Sequence, residues 1–263
     1  MDNCEIIDRD THLVVVNTNP ARRNALTSGF YAGLRAALAQ AAAEPRIGAV
    51  VLTGAEGFFC AGGDLTMLMN APRMAESERR HHIADLAALV GAILDCPRPV
   101  IAAVEGGAAG AGFSLAMACD LIVAAEDAGF TASYINAGLV PDGGLTGSLM
   151  GALPPALAAE LCLSGRPVAA ARLHTLGAIN AVVPPGQALA AAEDIAARLA
   201  SGPAVAQAAI KGLIVNARRV LMDRQLEAEI TPMAAALAAP EAAEGIAAFL
   251  GKRSPDFAAL RRN

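Results

Sequence analysis

Two small-residue runs in this chain could do chemistry. One is Phe59-Cys-Ala-Gly-Gly-Asp-Leu65; the other, about 45 residues later, is Gly106-Gly-Ala-Ala-Gly-Ala-Gly-Phe-Ser-Leu115. Each follows a stretch that reads as a buried strand, Ile47–Thr53 before the first and Pro99–Val104 before the second, and each leads into a helical pattern. A strand, a glycine turn and a helix start leave backbone N–H groups unpaired and aimed at one point, which suits an anion. Two converging turns could give two N–H donors to one developing oxyanion, usually the largest single contribution to catalysis on acyl groups.

The elements that must position these loops alternate. His12–Asn17 reads as a strand, and Thr27 as the N-cap of a helix running to about Ala43. After the strand at 47–53 and the first loop, apolar spacing from about Glu76 to Leu94 predicts a helix. The strand at 99–104 and the second loop follow, then a strand at Asp120–Ala125 and a turn at Pro141-Asp-Gly-Gly144. Strands alternating with helices point to crossover units and an α/β fold. Beyond about Pro185 the chain becomes alanine-rich and helical, with breaks expected at Gly202-Pro203, Thr231-Pro232 and Pro240. No charged linker precedes it, so these helices are expected to dock on the core or on a neighbouring subunit. The division expected is a core at 1–190 and a helical region at 191–263.

Composition excludes several function classes. Of 263 residues, 55% are hydrophobic and 17% charged, so the chain can bury a large core. No uninterrupted apolar run reaches the roughly 18 residues of a membrane span, and Met1-Asp-Asn-Cys-Glu lacks the start of a signal peptide, which makes a cytoplasmic location the expectation. Five cysteines without a Cys-x-x-Cys pair read as reduced core thiols. A net charge of −5, only Lys211 and Lys252 as lysines, and no tryptophan all argue against a nucleic-acid surface.

With both loops in view, the chain resembles the crotonase superfamily of enoyl-CoA hydratases and isomerases. Pro20–Leu26 is similar to its early coenzyme A-contacting segment, Phe59–Leu65 to its first oxyanion loop, and Val100–Asp120 to its second. Leu163–Pro167 with Leu176–Pro184 is similar to the segment closing the core. The resemblance implies a crotonase spiral of ββα units, a C-terminal helical region that builds trimers or hexamers, and an acyl-CoA thioester as substrate. Coenzyme A would enter only as part of that substrate, with no separate cofactor and no metal. By position, Ala61 and Ala111 would supply the oxyanion N–H groups, with Gly110 beside them. Arg23, Ala25, Gly62, Gly63, Asp64 and Leu65 would contact the substrate.

The acid–base positions depart from the hydratase pattern. Where hydratases of this family carry two glutamates, this chain has Ser114 and Tyr134, neither of them a carboxylate. Adding water calls for one group to activate it and another to deliver a proton. Asp142 remains, resembling the isomerase branch with a single acid in a Pro-Asp-x-Gly turn, which includes 1,2-epoxyphenylacetyl-CoA and Δ3,Δ2-enoyl-CoA isomerases. One carboxylate can move a proton between two carbons while the thioester oxygen holds the charge. Apolar neighbours around Phe113, Leu139 and Leu145 would raise its pKa by desolvation. The expected function is therefore acyl-CoA isomerisation, with hydration and a non-catalytic CoA- or RNA-binding homologue as alternatives.

Other residues have a plain reading beside a functional one. Ser114 and Tyr134 either orient substrate or simply pack. Arg22 and Arg23 reach CoA phosphates or form a solvated loop pair, and Lys211 is a CoA contact or a surface lysine. Cys60 reads as packing, Asp64 as a helix cap, and Asp120 and Glu105 as structural. Consecutive His81 and His82 face different ways on a helix and make a poor metal pair.

Overall fold

A computed structural model of the chain describes residues 3–261. The chain starts with β1 (Cys4–Asp8), β2 (His12–Asn17), α1 (Ser28–Ala43) and β3 (Ala49–Gly54). After the first glycine loop come α2 (Leu65–Leu68), α3 (Glu76–Asp95) and β4 (Val100–Val104). The second loop holds β5 (Gly107–Ala109) and opens α4 (Ala111–Ala118), followed by β6 (Leu121–Ala125), β7 (Gly129–Thr131) and a 3-10 turn at Ser133–Ala137. Next are α5 (Leu145–Ala152), α6 (Pro155–Ser164), β8 (Val168–Ala169), α7 (Ala170–Thr175) and β9 (Ala181–Val183). Three helices end the fold: α8 (Ala188–Ala200), α9 (Ala204–Ala236) and α10 (Pro240–Leu250).

The strands form two sheets. The larger runs β1-β2-β3-β4-β6-β9, parallel except for the antiparallel β1–β2 hairpin. The smaller runs β5-β7-β8, and an isolated bridge between Cys60 and Ala108 extends it by the first glycine loop. The chain thus passes from the large sheet to the small one and then into a helix, which is the expected spiral repeat.

Why the large sheet is parallel can be read from its strands. Leu13-Val-Val15, Val50-Val-Leu52 and Val100-Ile-Ala-Ala-Val104 are buried on both faces, which removes the polar alternation of a half-exposed sheet. One face, with Leu13, Val15, Val50, Leu52 and Val104, shares the main core with α1 and α3. The other, with Val14, Ala49, Val51, Ile101 and Val123, is covered by Ala188, Ala192 and Ala196 of α8. Those alanines recur every four residues, so one flat helix face approaches closely. A Cβ on Gly48 would lie 2.4 Å from Ala200 Cα.

Several expected elements lie within two residues of their predicted bounds, and Thr27 caps α1, its Oγ1 accepting from Phe30 N at 3.2 Å. The break expected at Thr231-Pro232 is absent. Pro232 lies inside α9, where packing of Ile230, Met233 and Ala234 into the core outweighs the missing N–H. The division at residue 190 falls within α8, the helix that covers one face of the large sheet.

Candidate active site

The two glycine loops lie against each other. Ala109 N donates to Cys60 O at 2.9 Å, and Cys60 N donates to Gly107 O at 3.3 Å. A Cβ on Gly112 would stand 2.4 Å from Cys60 O, so no side chain fits between the loops there. A Cβ on Gly62 would lie 2.7 Å from Ala109 O and 3.2 Å from Ala111 N, which puts the first loop directly beside the start of α4. Gly110, the N-cap of that helix, has φ 52° and ψ −128°, a conformation that favours glycine.

Ala111 is the first residue of α4, so its N–H has no carbonyl inside the helix to bond, and the helix dipole adds positive potential at that point. It is one of the two N–H groups expected to act as donors. The Ala61 N–H, the other donor expected, donates to Arg23 O at 3.0 Å. The pairing with the 20–26 segment explains this, since Leu26 N also donates to Gly62 O at 2.8 Å. Among the described residues no acceptor takes the Gly63 N–H.

Asp142, the carboxyl expected to handle the proton, sits across α4. Asp142 is 6% exposed, on the turn that leads into α5. Tyr134 Oη donates to Asp142 Oδ1 at 2.8 Å, Ser114 Oγ donates to Asp142 O at 2.8 Å, and the two hydroxyls lie 2.9 Å apart. The two positions that depart from the hydratase pattern therefore both converge on Asp142, Tyr134 on its carboxylate and Ser114 on its backbone carbonyl. Neither is mere packing.

The hydrogen bonding of this cluster changes with the charge of Asp142. Three close contacts link Ser114, Tyr134 and Asp142, yet the hydroxyls own two protons. With Asp142 ionised, the Ser114–Tyr134 contact has no hydrogen. With Asp142 protonated on Oδ1, a continuous chain runs from carboxyl to Tyr134, to Ser114, to the Asp142 carbonyl. Burial is the main cause that pushes the Asp142 pKa up to about 7; the Tyr134 hydrogen bond pulls it back, while Glu229 raises it further. A carboxyl poised near neutrality takes and returns a proton readily. Burial, first, and then the Asp142 charge hold the Tyr134 pKa far above its ordinary value, so this phenol stays protonated.

The expected substrate-contacting residues line one edge of the loops. Arg23 is held with φ 48° and its guanidinium lies 5.5 Å from the centre of the Phe58 ring. Arg22 pairs with Asp64, and Leu65 opens α2. Ala25 is buried behind the segment. Pro20, Arg23, Asn24 and Phe58 help line a cavity of about 320 Å³.

Elsewhere the structural readings hold. Asp120 accepts from Val100 N at 2.7 Å, and Glu105 accepts from Ala188 N at 2.7 Å at the start of α8. Cys60 is buried, which pushes its pKa up to about 12 and leaves no thiolate. Lys211 is not the surface lysine expected. It is buried, with Nζ 2.7 Å from Asp120 Oδ2 and donating to Ile93 O and Arg98 O, each at 3.0 Å. Among the described residues no cluster of His, Cys, Asp and Glu could hold a metal ion.

One buried acid escaped the sequence reading. Glu229 of α9 is 3% exposed and accepts from Gly144 N, Thr146 N and Thr146 Oγ1. Nothing in an alanine-rich helix announces a partner 85 residues upstream.

Comparison with known proteins fits this geometry. Residues 11–260 match the enoyl-CoA hydratase/isomerase family. The chain belongs to that family. It is 34% identical over 254 residues to the 2,3-dehydroadipyl-CoA hydratase of Escherichia coli, covering 96% of this chain and 97% of that one. It is 35% identical over 243 residues to the 1,2-epoxyphenylacetyl-CoA isomerase of the same organism, covering 90% and 91%. Among solved structures, an enoyl-CoA hydratase from Mycobacterium avium subsp. paratuberculosis superposes with a TM-score of 0.88 at 32% identity, covering 98% of this chain and 99% of that one. One from Polaromonas gives 0.80 at 43% identity, covering 96% and 98%. This enoyl-CoA hydratase/isomerase family member therefore has the crotonase fold, and acyl-CoA thioesters are its family's substrates.

Proposed function

We propose that this family member is an acyl-CoA isomerase, moving a double bond or rearranging a ring beside the thioester. The observation that carries the reading is the cluster around Asp142: one carboxyl near neutrality, with hydroxyls where a hydratase pair would stand. Gly63 and Ala111 N–H groups stabilise the enolate oxygen, and the α4 dipole assists. Asp142 removes a proton from one carbon and returns it to another, so no water is added. Coenzyme A lies along the 20–26 segment and the first loop, with Arg23 and its cavity beside Phe58 suited to phosphate.

Hydration is the second reading, favoured by the relative named a hydratase at 34% identity. A panel of 3-enoyl-, 2-enoyl- and epoxyphenylacetyl-CoA thioesters separates the two. Isomerisation leaves product mass unchanged, and hydration adds the mass of a water. Water gained on a 2-enoyl substrate, with no isomerisation of any thioester, overturns the proposal.

The same protein is proposed to assemble as a trimer or a dimer of trimers. Support comes from α9, where Ile210, Leu213, Ile214 and Leu221 stand exposed along one side of the helix. Sedimentation showing a stable monomer at micromolar concentration removes this part.

A further inference from the structure

Asp142 takes its position from a helix far away in sequence. The turn Pro141-Asp-Gly-Gly144 leads into α5, and Gly144, the N-cap of that helix, has no side chain to cap it. The cap comes instead from α9. Glu229 Oε2 accepts from Gly144 N at 2.7 Å, and Oε1 accepts from Thr146 N at 3.2 Å and Thr146 Oγ1 at 2.6 Å. Gln225, one turn earlier on α9, donates to the same Thr146 hydroxyl. Every one of these partners of Glu229 is a donor, the arrangement that an ionised carboxylate requires. A carboxylate on helix N-terminal N–H groups is also what the helix dipole favours.

We propose that Glu229 is a positioning residue for Asp142: it fastens the turn carrying the reacting carboxyl to α9 and fixes a negative charge behind it. This rests on the reading of Asp142 as the proton-handling group.

The turn needs such a fastening. Gly143 has φ +64° and Gly144 φ +74°, and glycine pairs in this conformation resist many alternative states poorly. Without the cap, the Gly144 and Thr146 N–H groups would face a buried, unsatisfied environment. A shift of 1 Å in the turn would take Asp142 out of reach of Tyr134 and of substrate.

The charge matters as well as the tether. The titratable groups facing Asp142 are Tyr134 from the 3-10 turn, Tyr31 from α1 and Glu229 from α9. Arg35 and Asp85, beyond Tyr31, neutralise each other as an ion pair. Glu229 is thus the anion that opposes ionisation of Asp142, and this makes Asp142 a stronger base once it is ionised. The same helix presents the exposed Ile210–Leu221 stripe, so the catalytic turn and the outer face of α9 share one rod.

The test is Glu229→Gln, which keeps shape and removes charge. The carboxyl of Asp142 is followed by 13C NMR in the whole protein, its signal assigned by loss in Asp142→Asn, alongside the pH dependence of kcat and kcat/KM. The expected result is an Asp142 midpoint lower by roughly half a unit to one unit, with kcat reduced roughly three- to tenfold and KM nearly unchanged. A midpoint that does not move in folded Glu229→Gln protein overturns the proposal. If that variant does not fold, Thr146→Val weakens the anchor from the other side. It should lower kcat without raising KM, and unchanged kcat overturns the proposal. A midpoint that shifts while activity ignores both variants and Asp142→Asn would sink instead the catalytic reading of Asp142.

Discussion

Tyr134 Oη lies 2.8 Å from Asp142 Oδ1, deep in the protein, on the side of the carboxyl facing Ser114. When Asp142 is ionised, the protonated phenol donates to it and holds one carboxylate oxygen in place.

Removing that donor should strengthen Asp142's hold on its own proton. In Tyr134→Phe the hydrogen bond that favours the ionised form is gone, so the acidic limb of kcat/KM should move to higher pH. Glu229→Gln should move the same limb the other way. A Tyr134→Phe profile unchanged across pH 5–9 would mean that the phenol does not control the carboxyl.

Asp142→Asn keeps shape and loses the base. Isomerisation should fall by roughly 10²–10⁴-fold, the usual worth of a positioned general base, while binding of a CoA thioester by calorimetry changes little. A variant retaining most of its turnover would place the proton elsewhere.

The same variant should be the more stable protein above neutrality. The folded Asp142 pKa of about 7 lies above its unfolded value near 3.8, so the folded state holds an extra proton between them. Stability contributed by this group is therefore present at low pH and lost as pH rises toward 7. Three units correspond to a ceiling of about 4 kcal/mol. Urea unfolding should show Asp142→Asn gaining on the wild type from pH 4 to pH 8, and equal midpoints at pH 8 would contradict the raised pKa.

The donors can be tested at the backbone. Ala111 occupies the first position of α4, where proline fits a helix well, so Ala111→Pro removes one N–H with little harm to the fold. It should reduce kcat about 10²–10³-fold. Gly63→Pro should act similarly, since Gly63 lacks a positive φ and a Cβ there meets only Leu68 Cδ1, at 3.5 Å. If circular dichroism shows both folded and kcat is unaffected, the enolate oxygen is held by other groups.

Lys211→Met addresses the fold alone. It leaves Asp120 with one partner fewer in a largely buried site and should destabilise by about 3 kcal/mol, read as a lower urea midpoint, with kcat unaltered.

The loops and the flanking strands were legible because they are local: small residues after an apolar run need no distant partner to be read. Asp142 stood out through its turn and the loss of other carboxylates. What could not be read was pairing across the fold. The Ala61 N–H is taken by Arg23 only because the 20–26 segment lies beside the first loop, and nothing in either segment specifies that register. Glu229 and Lys211 each meet partners some 85 to 120 residues away, and Pro232 sits in a helix that tertiary packing sustains.

Cys60 and Gly112 touch so closely that the two loops move, and mutate, as one piece. A larger residue on either side would pry the donors apart, so this region offers almost no room for evolutionary drift. Adaptation to a new acyl group must therefore enter through surfaces that can change without disturbing that contact. Leu86 of α3, within 3.1 Å of a Cβ placed on Gly143, and Met222 of α9, within 2.7 Å of one on Gly144, are buried against the turn of Asp142, so they are closed to such change as well.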